Sequence, residues 1–170
     1  MRYLLVSLLA LLTGCTGMPK GVTPVENFDA QRYLGTWYEI ARLDHSFERN
    51  LEQVTAEYKM REDGGIQVIN RGVEASSGKH KEAKGKAYFV NGADKGHLKV
   101  SFFGPFYSSY VVYELDDDYQ YAFISGYNSK YLWLLSRTPQ VSDELKERFI
   151  NKAQELGFAT ESLIWVKQSN

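Results

Sequence analysis

Between Asn27 and Asp44 the chain passes from a capped helical turn straight into an aromatic strand, and few architectures accommodate that junction. Asp29 can accept a backbone N–H at the free N-terminus of a turn spanning Ala30 to Leu34. Phe28 before the cap and Tyr33 inside the turn stand at the spacing of a hydrophobic staple. Gly35 supplies the permissive backbone at which such a turn stops. The run Trp37-Tyr38-Glu39-Ile40-Ala41-Arg42-Leu43 follows at once and reads as a strand. A turn feeding a strand headed by Trp suits a plug: the turn closes one end of a barrel, and Trp37 sits on the floor.

The rest of the chain supplies walls for such a barrel. Val54, Ala56, Tyr58 and Met60 alternate with Thr55, Glu57 and Lys59, the period of a half-buried strand. Glu62-Asp63-Gly64-Gly65 then reads as a hairpin turn, leading into a strand with Ile66, Val68, Asn70 and Gly72 inward. After a turn at Ser76-Ser77-Gly78, Ala83, Gly85, Ala87 and Phe89 alternate against Lys84, Lys86 and Tyr88. Leu98, Val100 and Phe102 form the next inward set. The sixth strand, Tyr110 to Leu115, offers two faces, Val111 with Tyr113 or Tyr110 with Val112 and Glu114. The first is favoured, because an unpaired inward Glu114 is costly. Strands over Tyr119–Tyr127 and Tyr131–Arg137 complete eight, joined by tight turns with no helix between them. The pattern predicts an all-β, eight-stranded antiparallel up-and-down barrel. One long helix follows, capped by Ser142, with Leu145, Phe149, Ala153 and Leu156 on a single face; it docks outside the barrel, with Phe123 as its seat. Ser162 to Val166 adds a short last strand.

A net charge of −1 on 170 residues argues against a nucleic-acid surface, which needs clustered Lys and Arg. The basic run Lys79-His80-Lys81 reads as a solvated hairpin. At the N-terminus, Arg2 and the apolar run Tyr3 to Leu12 are too short for a membrane span and read as a signal peptide over residues 1–14. The only cysteine, Cys15, follows directly after Leu12-Thr13-Gly14, so an intrachain disulfide is impossible. Residues 15–26, with Gly17, Pro19, Gly21 and Pro24, read as a flexible tether, and 27–170 as one globular domain.

Three blocks in order resemble the lipocalin signatures, most of all those of the bacterial outer-membrane lipoprotein lipocalins. Gly35-x-Trp37-Tyr38 after Asn27-Phe28-Asp29 resembles the first, Asp118-Tyr119 with Tyr121-Ala122 the second, and Tyr131-Leu132-Trp133-Leu134-Leu135-Ser136-Arg137-Thr138-Pro139 the third. The likeness implies that Arg137 packs across Trp37 as a structural floor. It also makes Leu12-Thr13-Gly14-Cys15 a lipobox, with Cys15 acylated and the domain held at the outer membrane on its periplasmic side. Thr16 after the cysteine fits outer-membrane sorting. Stable anchoring needs more than one acyl chain, and lipoproteins of this type carry three.

A closed eight-stranded barrel is either filled or just wide enough for one small ligand. Ala41, Ala56, Gly72, Ala83, Gly85, Ala87 and Ala122, read as inward, leave volume unfilled. The candidate ligand-binding set is Ala56, Tyr58, Val68, Asn70, Ala87, Phe89, Val100, Phe102, Tyr113, Tyr131 and Trp133, with Phe103, Phe106 and Tyr107 at the mouth. Such an interior selects long apolar molecules: at about 0.8 kcal/mol per methylene, a chain of about 16 carbons gains roughly 13 kcal/mol before losses of freedom. The family likeness points to fatty acids or lysophospholipids, carried or stored for envelope lipid maintenance.

Catalytic and metal-binding patterns are missing. Once Cys15 is committed to an anchor no thiol remains, His45, His80 and His97 stand in separate turns, and there is no GxSxG elbow. Asp116-Asp117-Asp118 lacks calcium-loop spacing and reads as a solvated turn. No cofactor or metal is expected, and the chain reads as a carrier rather than an enzyme. Two alternatives stay open: a lipid-active envelope enzyme using His45 and Glu48, and an interaction protein whose aromatic mouth takes a partner or a second copy as a homodimer.

Overall fold

The structure is a computed structural model that describes residues 15–169. The expected signal peptide, residues 1–14, lies outside the described residues.

The staple forms as the sequence dictates. Asp29 caps α1 (Ala30–Tyr33) by accepting from the Gln31 N–H at 2.9 Å, and the Phe28 and Tyr33 rings meet with centroids 5.0 Å apart. Gly35 follows with φ of 94°, a left-handed conformation that a side chain would resist. Eight strands then run up and down: β1 (Gly35–Arg42), β2 (Leu51–Met60), β3 (Ile66–Glu74), β4 (His80–Phe89), β5 (His97–Phe103), β6 (Phe106–Leu115), β7 (Tyr121–Ser125) and β8 (Leu132–Ser136). Every pairing is antiparallel, and β1 bonds both β8 and β2, so the sheet closes. The helix α2 (Asp143–Glu155) lies outside, and β9 (Ile164–Trp165) pairs with Ala41 and Arg42 of β1.

Two apolar clusters divide the interior from the outer wall. One, inside the barrel, holds Trp37, Tyr58, Val68, Ala87, Leu98, Val112, Ala122, Ile124 and Leu135, with Phe28 and Tyr33 from the plug. The other lies under α2, where the Phe149 ring stands edge-on to Phe123 at 5.0 Å and both are fully buried. Burying a large side chain is worth about 1.5–3 kcal/mol, so Phe149 on Phe123 contributes strongly to the helix's adhesion, with Leu145, Ala153 and Leu156 packed beside it.

Three expectations are corrected. The favoured face of β6 is reversed: Tyr110 and Val112 pack with the interior, whereas Val111 and Tyr113 join the cluster under α2. A bulge between Val112 and Glu114 resets the alternation, and Glu114 leaves the barrel to accept from Arg148 Nε at 2.6 Å. The cost that argued against this face is therefore never incurred. A second bulge, between Glu39 and Ala41, puts Ile40 and Ala41 together in the outer cluster, so Ala41 is not a cavity wall. Residues 15–26 are docked rather than slack: Val22 is buried, Met18 packs on the outer cluster, and Val25 bonds Val112 and Gly96.

Candidate ligand-binding site

The three signature blocks converge at the closed end. The Arg137 guanidinium carbon lies 3.9 Å from the centroid of the Trp37 ring. Its N–H groups donate to the carbonyls of Tyr119, Thr36 and Arg32 at 3.2, 3.0 and 2.9 Å. The Trp37 indole donates to the Tyr33 carbonyl at 2.9 Å. Tyr119, held at a φ of 57°, accepts from the Asp29 N–H through its hydroxyl at 2.9 Å. Helical turn, first strand and last two strands are thus tied by groups that would otherwise be buried without partners.

Above this floor three tyrosines form a layer. The Tyr110 hydroxyl bonds those of Tyr33 at 2.7 Å and Tyr58 at 2.9 Å. Burial pushes all three phenols well above their ordinary range, which keeps the layer neutral. The enclosed space beside it is lined by Tyr33, Tyr58, Ile66, Ala87, Leu98, Val100 and Tyr110, and its volume is about 10 Å³, room for a single water. The hollow inferred from small wall residues is therefore partly filled by neighbours. A side chain at Gly85 would meet the Phe102 ring at 2.9 Å, and one at Gly72 would meet Leu51 and Val54 at 3.3 Å.

The upper half is open. Ala56, Asn70, Val100, Phe102 and Trp133 share the interior faces of their strands yet stay half-buried, so solvent reaches them from the mouth. The Asn70 Oδ1 is buried with no partner among the described residues, a free acceptor on this wall. Of the other predicted lining residues, Tyr58 and Ala87 border the deep space, and Val68 is interior core. Phe89 packs on Phe28 of the plug at 6.1 Å, below any ligand space, and Tyr131 stacks on Trp133 at the rim, 6.1 Å between centroids. Tyr113 is the one placed outside, with a buried hydroxyl that finds no partner among the described residues.

An ionic cluster lies beneath the β1–β2 loop. It contains the His45–Glu48 pair expected from the sequence, here buried, and adds Glu39 and Arg42, which the sequence did not single out. Arg42 is 1% exposed; it donates to Glu39 Oε1 at 2.7 Å and to the carbonyls of Glu48 and Leu51 at 2.8 and 3.2 Å. Glu48 Oε2 lies 2.7 Å from His45 Nε2 and accepts from the Trp133 indole at 3.1 Å. Burial and the neighbouring Glu48 carboxylate push the Glu39 carboxyl well above the usual range. Burial also opposes ionisation of Glu48, but the contact with His45, with Trp133 and Glu39 assisting, holds it below that range. Strict alternation with Ala41 inward leaves Arg42 outside. The bulge turns it inward.

A family model described as a lipocalin-like domain matches residues 28–168. The chain belongs to the lipocalin family. The outer membrane lipoprotein Blc of Vibrio cholerae is 62% identical over 159 residues, covering 93% of each chain. Blc of Escherichia coli K12 is 54% identical over 150 residues, covering 88% of this chain and 85% of that one. Among solved structures, insecticyanin from the tobacco hornworm Manduca sexta shares the fold at a TM-score of 0.72 and 22% identity, covering 91% of this chain and 88% of its own. Like its Blc relatives, this lipocalin is an outer-membrane lipoprotein. Lipocalins are binding proteins for small hydrophobic molecules, and the half-open apolar interior is of that kind.

Proposed function

We propose that this lipocalin carries or stores a fatty acid or lysophospholipid at the outer membrane, held there by acylation of Cys15 with the domain on the periplasmic side. The observation that supports it is the division of the barrel into a sealed lower half and an open upper half. An acyl chain entering from the mouth lies along Phe102, Val100 and Trp133, while the bonded Tyr33, Tyr58 and Tyr110 set how deep it goes. Each methylene brought against those walls contributes about 0.8 kcal/mol. The polar head stays at the rim in water. Asn70 offers it, or a buried hydroxyl, an acceptor.

The test is titration of delipidated protein with palmitate and with a lysophospholipid, following indole fluorescence, together with native mass spectrometry of the protein as isolated. Saturable quenching and a retained acyl lipid are expected. Neither quenching nor any co-purifying lipid would overturn carriage. Independently, Cys15→Ala moves the protein from the membrane to the soluble periplasmic fraction; retention in the membrane would sink the anchor.

A further inference from the structure

Three large apolar side chains face solvent at one end of the barrel. Phe47 is 69% exposed, Phe103 72% and Phe106 73%. Phe47 sits in the β1–β2 loop, and Phe103 and Phe106 pair directly across the β5–β6 hairpin. Strands β1 and β5 both run away from the plugged floor, so both loops lie at the mouth. Scattered exposed apolar residues are ordinary, but three at one rim of a barrel with a sealed opposite end are not scattered.

The anchor residue is at the same end. The Cys15 carbonyl accepts from the Ser109 N–H at 2.9 Å, and Cys15 pairs alongside Ser108, within a few residues of Phe106. The chain from Cys15 to Glu26 is pinned along the outer wall: the Val25 N–H donates to the Val112 carbonyl at 2.9 Å, Val22 is buried, and Lys95 bonds Glu26 at 2.9 Å at the far end. No free linker separates the anchor from the barrel, so the depth and tilt of Cys15 fix those of the mouth.

Charge is divided along the same axis. Lys79 and Lys130 on rim loops and Lys81 at the rim end of β4 are exposed and form no ion pair among the described residues. The turns at the closed end carry six carboxylates, Glu62, Asp63, Asp94 and Asp116 to Asp118, against two cations, Arg61 and Lys95, which are taken up in ion pairs with Asp63 and Glu26. A basic rim is attracted to anionic phospholipid, and an acidic far end is repelled by it.

We infer that the open end of the barrel rests on the bilayer, with Phe47, Phe103 and Phe106 inserted among the headgroups and upper acyl chains, so that the mouth opens into the membrane and not into bulk water. The hairpin Lys79–Lys81, solvated in the free protein, contacts lipid phosphates in this position. The inference extends the carriage reading by naming the route a lipid takes to the cup, yet the two fail separately. A barrel that takes no lipid can still sit mouth-down, and a carrier can bind lipid with its mouth in water.

The test uses the mature protein acylated at Cys15, which leaves no competing thiol, in vesicles of phosphatidylethanolamine and phosphatidylglycerol. Phe106→Cys, Ser77→Cys and Glu62→Cys are each labelled with an environment-sensitive dye. The labels at 106 and 77 are expected to lose fluorescence to lipids spin-labelled at the headgroup or upper acyl chain, and the label at 62 to keep it. Ser77 is a polar rim position, so its loss does not reflect removal of an apolar side chain. Equal, solvent-like emission at all three sites would overturn the docking. So would a shift at 106 that lipid quenchers leave untouched and that grows with protein density, which would assign the rim to a second copy of the chain.

Discussion

Glu48 Oε2 lies 2.7 Å from His45 Nε2 and 3.1 Å from the Trp133 indole nitrogen, so one carboxylate oxygen ties the β1–β2 loop to the neighbouring strand β8 at the mouth of the barrel. The Glu48 carbonyl accepts from Arg42, which also bonds Glu39 from below. One arginine and two glutamates are thereby buried together beside the His45 ring, and a carboxyl that keeps its proton relieves the repulsion between the two acids. The local environments choose Glu39 for that role, since its carboxyl is held well above the usual range and that of Glu48 below it.

A pH dependence follows, with opposite signs for the two acids. Glu39, raised in the folded state, contributes stability that is full below the ordinary carboxylate pKa and is lost as pH rises through its folded value. Glu48, depressed, contributes stability present above the ordinary value and lost as pH falls through its folded value. Glu39→Gln reproduces the protonated shape. Its melting temperature is expected to match the wild type in mild acid and to flatten the decline above it. Glu48→Gln takes the carboxylate away from His45 and Trp133, while Arg42 keeps both the Glu48 main-chain carbonyl and Glu39, and it costs about 1–3 kcal/mol near neutrality. Thermal denaturation followed by circular dichroism from pH 4 to 8 checks both. Equal losses for the two variants at neutral pH would contradict the assignment.

Removing the Arg137 guanidinium deletes three hydrogen bonds and its stacking on Trp37. Each bond contributes about 0.5–1.5 kcal/mol and the stacking roughly 0.5–2. Arg137→Ala is therefore expected to destabilise by about 2–4 kcal/mol, part of the loss being recovered by water at the exposed edge. Lipid uptake at low temperature should survive, because the floor lies beneath the tyrosine layer. Urea unfolding and a palmitate titration on the same preparation separate the two effects.

The barrel, the plug, the outside helix and the last strand were legible in the sequence because each depends on local chemistry: a cap, alternation, an apolar helical face. The interior was legible only in part. Alternation is a period-two rule, and the bulges in β1 and β6 break it, which hid Arg42 and Tyr110 inside and sent Ala41 and Tyr113 outside. Nothing in the order of residues marks either bulge. Cavity size was misjudged for a different reason. Small residues such as Gly85 and Gly72 were read as vacant volume, whereas Phe102, Leu51 and Val54 from adjacent strands occupy it. Packing between strands is non-local, and no window of sequence contains both partners.

Phe149 tests how α2 holds to the wall. Its ring is fully buried edge-on to Phe123, with Ala153 beside it in the same cluster. Phe149→Ala is expected to cost about 3–5 kcal/mol through lost burial and the cavity left behind. Hydrogen exchange should show α2 amides released before those of β6 and β7. In contrast, Arg148→Ala breaks an ion pair whose arginine is 61% exposed, and its effect should stay below about 1 kcal/mol.

The tyrosine layer yields the prediction that bears most directly on ligand choice. Tyr110 is the hub, bonding both Tyr33 and Tyr58, and its ring lines the small space of about 10 Å³ that adjoins the open cup at Val100. Tyr110→Phe keeps the ring and removes the bonds, so depth is unchanged while stability falls by about 1–3 kcal/mol. Tyr110→Ala removes the ring itself, at a cost of about 3–5 kcal/mol, and joins the two spaces. If the layer sets how far a chain can enter, the alanine variant alone should shift its preference toward longer acyl chains, each added methylene contributing about 0.8 kcal/mol until the Trp37 floor is reached. Competition among saturated fatty acids of increasing length measures that optimum. An unchanged optimum in Tyr110→Ala would show that the acyl chain never reaches the layer and stops higher, among Phe102, Asn70 and Trp133.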